Sequence, residues 1–365
     1  MNILIVGEFS GFSKHLKNGF VKLGHKVTIV HSGDGWKNIK GDKEDISYSS
    51  VLHIGKYVIP GSGKLKALYS RKQIVSQINK RFPEEIDLII VVSYRFISSN
   101  IFQAGVPVSF IKESIKKGAK LVMSICGTDP AGRYATPDYY TLINSKIPLK
   151  DRRYDFLIEN SNVIIPTIFE YYNAIKQYCS MRGFTDAKIV NSIPLPISLE
   201  PNYNIIPCKD RKIVIFHGII RPIAKGSPFI KEAMDRIQKE FPESVECFCV
   251  GGLPYDEYIR LFDRVDVLID QTYCNGWGVN AIIGAMKGKC VLTSCGPENG
   301  DNMKIPEIPF VKIEPNSKQI YEILKALIQN PERIDKIKMD SRCFVEQYCA
   351  SDIVARRYIQ EANLC

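Results

Sequence analysis

The sequence predicts an α/β protein made of two Rossmann-like, doubly wound parallel-sheet domains that face a central cleft. Three observations lead there. Short apolar runs alternate with amphipathic runs along almost the whole chain, the pattern of repeated βαβ units. One stretch, 193–209, breaks the alternation with four prolines and no clear period, and reads as a hinge. The chain's 365 residues exceed what one core organises and suit two domains of similar size. The expected division is a first domain over 1–195, a linker over 196–209, a second domain over 210–348, and a terminal helix over 349–365 packing back on the first domain.

In the first half the strand candidates are 3–7, 26–31, 87–92, 120–126, 163–166 and 188–191. Most are short, nearly continuous apolar runs, as expected of parallel strands buried on both faces. Between the first two, Phe12, Leu16, Phe20 and Leu23 share one face of a helix. Helical patterns also cover 64–82 and 110–117, the latter closed by Gly118. After the linker come a strand at 212–216, a helix near 229–241, a strand at 245–250, a helix near 255–262 and a strand at 265–270. Gly276 and Gly278 then mark a tight turn into a small-residue helix over 279–287, which Gly288 ends before another strand begins at Cys290. A strand at 311–313 and helices over 318–329, 334–348 and 352–362 complete the reading. No repeat of solenoid period and no low-complexity segment is present.

Composition narrows the class. A hydrophobic content of 45% and a charged content of 24% are those of an ordinary globular protein. The apolar runs fall far short of the roughly 20 residues that cross a bilayer. The start of the chain enters a strand at Asn2 without a basic region or cleavage site, so no signal peptide is expected. Eleven scattered cysteines, without a Cys-x-x-Cys pair, fit a reduced, cytoplasmic setting. Net charge is +10, and residues 1–81 carry +9 of it, with 14 Lys and Arg against 5 Asp and Glu. That balance describes either a solvated basic face or a surface for an anionic membrane. Nucleic acid is not expected as a partner, because no binding motif accompanies the charge.

The chemistry concentrates in two turns of the second half. Helix starts offer free N–H groups and a positive dipole end, which suit a phosphate. The turn at Gly276 and Gly278 opens such a helix at Val279 and Asn280. Upstream, the strand ending at His217 and Gly218 is followed by Arg221 and Lys225, two cations able to grip a diphosphate. Each turn alone is also what any βαβ protein needs. In the first half, Gly7-Glu8-Phe9-Ser10-Gly11 is a glycine turn but not the Gly-x-Gly-x-x-Gly of a dinucleotide site, and Asp34 lacks that pattern's support. Asp129 follows the strand at 120–126; it either bonds a sugar hydroxyl or receives the acceptor proton, or else caps the turn at Pro130. No Asp-x-Asp metal motif is present.

These features together resemble the GT-B glycosyltransferases, and more closely their family 4, retaining enzymes that use nucleotide sugars. The residues carrying the resemblance are Arg221, Lys225 and Gly226, the segment DQTYCNGWGVNAIIGAMKGK from Asp270, and the opening NILIVGEFSGFSKHLKNGFVKLGHKV. The subgroup most resembled assembles bacterial surface polysaccharides. The resemblance implies that Arg221 and Lys225 hold the donor diphosphate and take part in catalysis. Gly218, Gly276, Gly278, Val279 and Asn280 would line the donor, Asp129 would serve the transferred sugar or acceptor, and Ser10, Gly11 and His15 would lie on the acceptor side. One departure stands out. The family's two glutamates, eight residues apart, correspond to Gly276 and Gly284 here. Glu298 is the candidate substitute for the ribose contact, or else an exposed loop acid.

The implied reaction transfers a sugar from a nucleoside diphosphate to an acceptor hydroxyl, with no metal and no cofactor. The partners are a nucleotide sugar, a glycan or lipid-linked acceptor and an anionic membrane surface, with a cytoplasmic, peripheral location. Two rivals share the architecture: a nucleotide-sugar 2-epimerase and a non-catalytic sugar-nucleotide-binding homologue.

Overall fold

Apolar strand runs place two parallel sheets in the interior of the protein. The structure is a computed structural model. It describes all residues except 33–41, 49–52, 55–56, 59–62, 202, 204, 253–254 and 365, and leaves out the side chains of 53–54, 57–58, 63–66, 68, 255–256 and 258–259. The first sheet has six strands in the order Val163–Pro166, Lys120–Ile125, Leu88–Val91, Asn2–Val6, Lys26–His31, Ile46–Ser47. All its pairings are parallel, with Ile5 opposite Ile29 on one side and Ile90 on the other. The chain builds outward from Asn2–Val6, then returns to its other side. The order therefore reverses beside that strand, which opens a crevice at the carboxyl ends.

The second sheet repeats the device with five strands, in the order Val245–Val250, Ile213–Gly218, Val267–Ile269, Cys290–Thr293, Val311–Lys312. Leu268 pairs with Phe216 and with Val291, again in parallel. Here the reversal falls between Ile213–Gly218 and Val267–Ile269. The expected α/β class with two such sheets is what the chain adopts. Helices cover both faces. One hydrophobic cluster runs from the first sheet through Ile168, Ile193 and Leu195 to Trp277, Ala285 and Phe344, and a second lies under Ile215, Ile230, Met234 and Leu324.

The end of the chain returns to the first sheet. Helix Pro331–Phe344 runs into a π turn at Val345–Cys349, and Ile197 of the linker bonds both sides of it, to the Cys349 carbonyl at 2.8 Å and the Ser351 N–H at 2.9 Å. Helix Ser351–Glu361 then crosses Phe12–Lys22 so closely that a Cβ on Gly19 would collide with the Ser351 carbonyl oxygen. Tyr358 reaches the Ser124 hydroxyl at 2.7 Å.

Some local expectations need correction. The segment 188–191 forms only an isolated bridge, Ile189 to Ile164, because the chain is already turning into the prolines that follow. Helices Pro130–Ala135, Pro137–Leu142, Arg152–Asn160, Phe169–Arg182 and Glu298–Met303 and the edge strand Ile46–Ser47 were not anticipated. Among the described residues no helix is long and apolar enough to cross a membrane.

Candidate functional site

The strand order of the second sheet brings the ends of Ile213–Gly218 and Val267–Ile269 side by side. Past Gly218 the chain makes the single turn Pro222–Lys225, which aims Lys225 inward. Its ammonium is buried and sits 2.8 Å from Asp270 Oδ1. Asp270 Oδ2 accepts the Gly278 N–H at 3.1 Å, so one carboxylate ties the cationic turn to the start of the next helix. Burial by itself would raise the Asp270 pKa; the Lys225 charge and these hydrogen bonds outweigh it and hold the group below the usual carboxylate range. Behind them His217 donates from Nδ1 to the Ile269 carbonyl at 2.9 Å, and its Nε2 lies 2.7 Å from the Ser227 hydroxyl. Burial lowers its pKa to about 4, so it is a neutral structural imidazole at physiological pH.

Two groups in this crevice lack an ionic or hydrogen-bonded partner among the described residues. Arg221 is exposed and makes no ion pair there. The Thr272 hydroxyl is buried without a hydrogen bond. Gly226, at φ +68°, makes room for it, since a Cβ there would collide with Thr272 Oγ1. Helix Val279–Met286 starts at Gly278 with neither a side-chain cap nor an acid in its first turn, leaving N–H groups for an anion.

The loop between Asp270 and that helix touches the other domain. Tyr273 packs on Tyr139 with ring centroids 5.9 Å apart, and the Asn275 N–H donates to Glu170 Oε2 at 2.6 Å. A Cβ on Gly276 would lie 2.6 Å from Ile168 Cδ1, so the approach needs a glycine. Asn275 is a hub: its Oδ1 accepts the Gly296 N–H at 2.7 Å and its Nδ2 donates to Glu298 at 3.0 Å. Glu298 is exposed, and the Asn275 amide is the leading cause of its lowered pKa. Asn280 stands half-buried in the first turn of the helix.

The first domain treats its own helix start differently. Buried Glu8 accepts the Gly11 N–H at 2.8 Å and the Lys14 N–H at 3.0 Å, so a carboxylate already occupies the place where an anion would dock. Ser10 and Gly11 both take left-handed backbone, at φ +53° and +89°, to make this turn. His15 accepts the Ser198 N–H on Nδ1 at 3.1 Å, and burial pulls its pKa to about 4. It thus leans on the linker as a neutral ring. Asp129 is an N-cap: Oδ1 accepts the Gly132 N–H at 2.8 Å and Oδ2 the Tyr154 hydroxyl at 2.8 Å. Burial raises its pKa to about 6. One structural hydrogen bond on each oxygen fits the capping alternative.

The structure thus gathers Gly218, Lys225, Gly278 and Val279 at one crevice, with Arg221 on its lip, and sets Glu298 against Asn275 of the same loop. It places Ser10, Gly11 and His15 at the other domain's first turn. Sequence reasoning missed Asp270, Thr272, Asn275, Glu170 and Tyr139. Asp270 could have been found as the first polar residue after a buried strand. The matching runs Asp138-Tyr139-Tyr140 and Glu170-Tyr171-Tyr172 were a second readable signal.

No protein-family model and no curated protein sequence matches the chain. Solved structures do. Sucrose-phosphate synthase from Thermosynechococcus elongatus superposes with a TM-score of 0.62 at 13% identity, covering 100% of this chain and 99% of that one. Anabaena HepE in complex with UDP gives 0.59 at 13% identity, with 100% of each chain covered. A Listeria monocytogenes protein classed as a UDP-N-acetylglucosamine 2-epimerase gives 0.54 at 11% identity, covering 100% and 97%. At these identities the likeness is one of fold. The chain has the two-domain GT-B architecture.

Proposed function

We propose that this protein is a glycosyltransferase. It moves a sugar from a nucleoside-diphosphate donor to an acceptor hydroxyl with retention of configuration, in the assembly of a bacterial surface polysaccharide or glycoconjugate. The observation that carries the reading is the crevice at the second sheet's reversal. It combines a buried Lys225–Asp270 pair, an exposed Arg221 with no ion pair among the described residues, an orphaned Thr272 hydroxyl and an uncapped helix start. That set suits a diphosphate. The fold-level neighbour HepE, solved with UDP and with UDP-glucose, supports a nucleotide sugar as ligand.

As the glycosidic bond breaks, negative charge develops on the leaving diphosphate. Arg221, Lys225 and the Val279 N–H stabilise that charge from fixed positions. Asp270 orients Lys225, and Glu298 receives the ribose. The neutralising groups are all protein groups, so the reaction proceeds without a metal ion or other cofactor. The acceptor, a glycan or a lipid-linked sugar, approaches from the side of Ser10, Gly11 and His15.

The acceptor side also suits a peripheral position on the cytoplasmic face of the membrane. Tyr69, Ile101 and Phe102 are 58%, 49% and 57% exposed, and Arg71, Lys72 and Lys80 lie with Ile101 along one groove. Cations at headgroups with apolar groups in the interface are the features of such docking. In the stretch 55–72, which mixes cations with aromatic and aliphatic residues, the side chains of Lys56, Tyr57, Ile59, Lys64, Leu65, Lys66 and Leu68 lie outside those described, as does Asp34.

The experiment is product analysis with UDP, GDP, ADP and dTDP sugars, with and without an acceptor. A transferase releases nucleoside diphosphate in proportion to glycosylated acceptor. Acceptor-independent conversion to a second nucleotide sugar identifies the epimerase instead, and binding without turnover a non-catalytic homologue.

A further inference from the structure

The pocket assigned above has to read a sugar, whose hydroxyls need acceptors, and the loop beside it is short of them. Between Asp270 and the helix start its sequence is Gln-Thr-Tyr-Cys-Asn-Gly-Trp-Gly, without an acid. Asp270 itself is spent on Lys225 and the Gly278 N–H. Besides exposed Glu298 on the Asn275 amide, a second carboxylate faces the middle of this loop, and it comes from the opposite domain. Glu170 stands in the first turn of helix Phe169–Arg182, half-buried, with Oε2 at 2.6 Å from the Asn275 N–H.

Its setting is unusual for a merely structural acid. No ion pair among the described residues compensates its charge, and burial raises its pKa. Holding such a group out of water is costly unless its lone pairs are used. A carboxylate offers about four acceptor positions. The Asn275 N–H fills one, and the Cys274 thiol lies beside it. Tyr139 and Arg221 act electrostatically on the same cluster. The spare acceptors therefore sit at the seam of the two domains, between the cationic turn that holds a diphosphate and the loop that borders the sugar.

We propose that Glu170 is the sugar-reading carboxylate of the donor pocket: it accepts hydrogen bonds from hydroxyls of the transferred sugar while its hold on Asn275 keeps the loop against the first domain. The inference rests on the glycosyltransferase reading and adds a specificity residue to it. A polyhydroxylated hexose is the class of sugar it selects, and the selection requires the domains to be closed.

Calorimetric titration of the full-length protein with UDP and with UDP-glucose tests this in wild type, Glu170→Gln and Glu170→Ala. Glutamine keeps an acceptor for the Asn275 N–H and removes the charge. The ratio of UDP-glucose to UDP dissociation constants should rise about 10- to 100-fold in Glu170→Gln, the scale of a lost hydrogen bond to a charged group. UDP affinity should stay within about twofold, because the diphosphate contacts are elsewhere, a separation that a purely structural role would not produce. Glu170→Ala should add a loss of UDP affinity by freeing the loop. Equal weakening of both ligands in Glu170→Gln, or no change in either, overturns the proposal and leaves the transferase reading standing. Binding by wild type of neither ligand, nor of GDP, ADP, dTDP or their glucose conjugates, overturns both.

Discussion

At the residue scale, identity in the sequence and role in the fold part company most clearly at the acids. Asp129 and Asp270 both follow strands, yet one caps a helix and the other holds the cation of the crevice. Sequence offers the same letter for each; burial and neighbours decide. The position of Arg221 and Lys225 just past a buried strand end was legible, and their role is the one proposed above. Arg221→Ala and Lys225→Ala should each lower kcat/KM by about 10²–10³-fold, the effect of losing one preorganised charge-stabilising group. Unchanged turnover in both would remove the clamp assignment. Asp129 makes a separate, pH-resolved prediction. Its folded pKa of about 6 lies above the ordinary value of 3.8, so its contribution to stability is full below the unfolded pKa and is lost as pH rises through about 6. An asparagine side chain in its place carries no such charge. In urea unfolding, the stability of Asp129→Asn relative to wild type should therefore improve, by an amount on the order of 3 kcal/mol between about pH 4 and pH 7. A relative stability that stays flat across that range would contradict a buried cap with a raised pKa. His15 and His217 lose stability in the opposite direction as pH falls from 6.5 towards 4, and cancel in the difference because both proteins contain them.

At the element scale, what was readable followed from periodicity. The strands at Lys26–His31, Val163–Pro166 and Val245–Val250 are apolar or alternating runs bounded by turn residues, and the helix at Phe12–Lys22 shows its buried face in Phe12, Leu16 and Phe20. Helices such as Pro130–Ala135 and Glu298–Met303 were not readable, because six residues hold too few turns to display a period. Phe169–Arg182 is longer, but aromatic and polar residues are spread around it, and its fixing contacts are long-range: the Phe169 N–H to Asn299 and Glu170 to Asn275. The crossing of Phe12–Lys22 by Ser351–Glu361 hangs on a residue that reads as an unremarkable mid-helix glycine. Gly19→Ala adds a Cβ onto the Ser351 carbonyl and should destabilise the protein by about 1–3 kcal/mol through overpacking. Hydrogen exchange should speed up first in 351–361, and an unchanged melting temperature with unchanged exchange there would contradict the close crossing.

At the scale of the whole molecule, the two sheets share a reversal of strand order beside their first strand and divide the chemistry. Both reverse at a central strand and present a helix start at that point. The first domain fills its own with Glu8, whereas the second leaves Val279–Met286 uncapped beside Lys225. The alternation of strands and helices and the proline-rich break made the two-sheet plan legible. The seam formed by Tyr139, Glu170 and Ile168 against the loop 273–276 was not, because those residues are about a hundred positions or more from their partners. The basic first domain leads to a prediction at this scale. Liposome co-sedimentation should require anionic lipid, weaken with salt and decline when Arg71, Lys72 and Lys80 become Glu. Equal binding to neutral vesicles, or none to anionic ones at low salt, would remove the membrane from the account. The central claim is that the second domain's crevice holds a nucleoside diphosphate by protein groups alone. Its most direct test is calorimetric titration of UDP, GDP, ADP and dTDP in the presence of EDTA, into wild type and Arg221→Ala. The account predicts saturable binding of at least one nucleotide in wild type, undiminished by the chelator and weakened at least tenfold, about 1.4 kcal/mol, in the variant. Binding of none of the four, or binding that needs added Mg²⁺ and ignores Arg221, would contradict it.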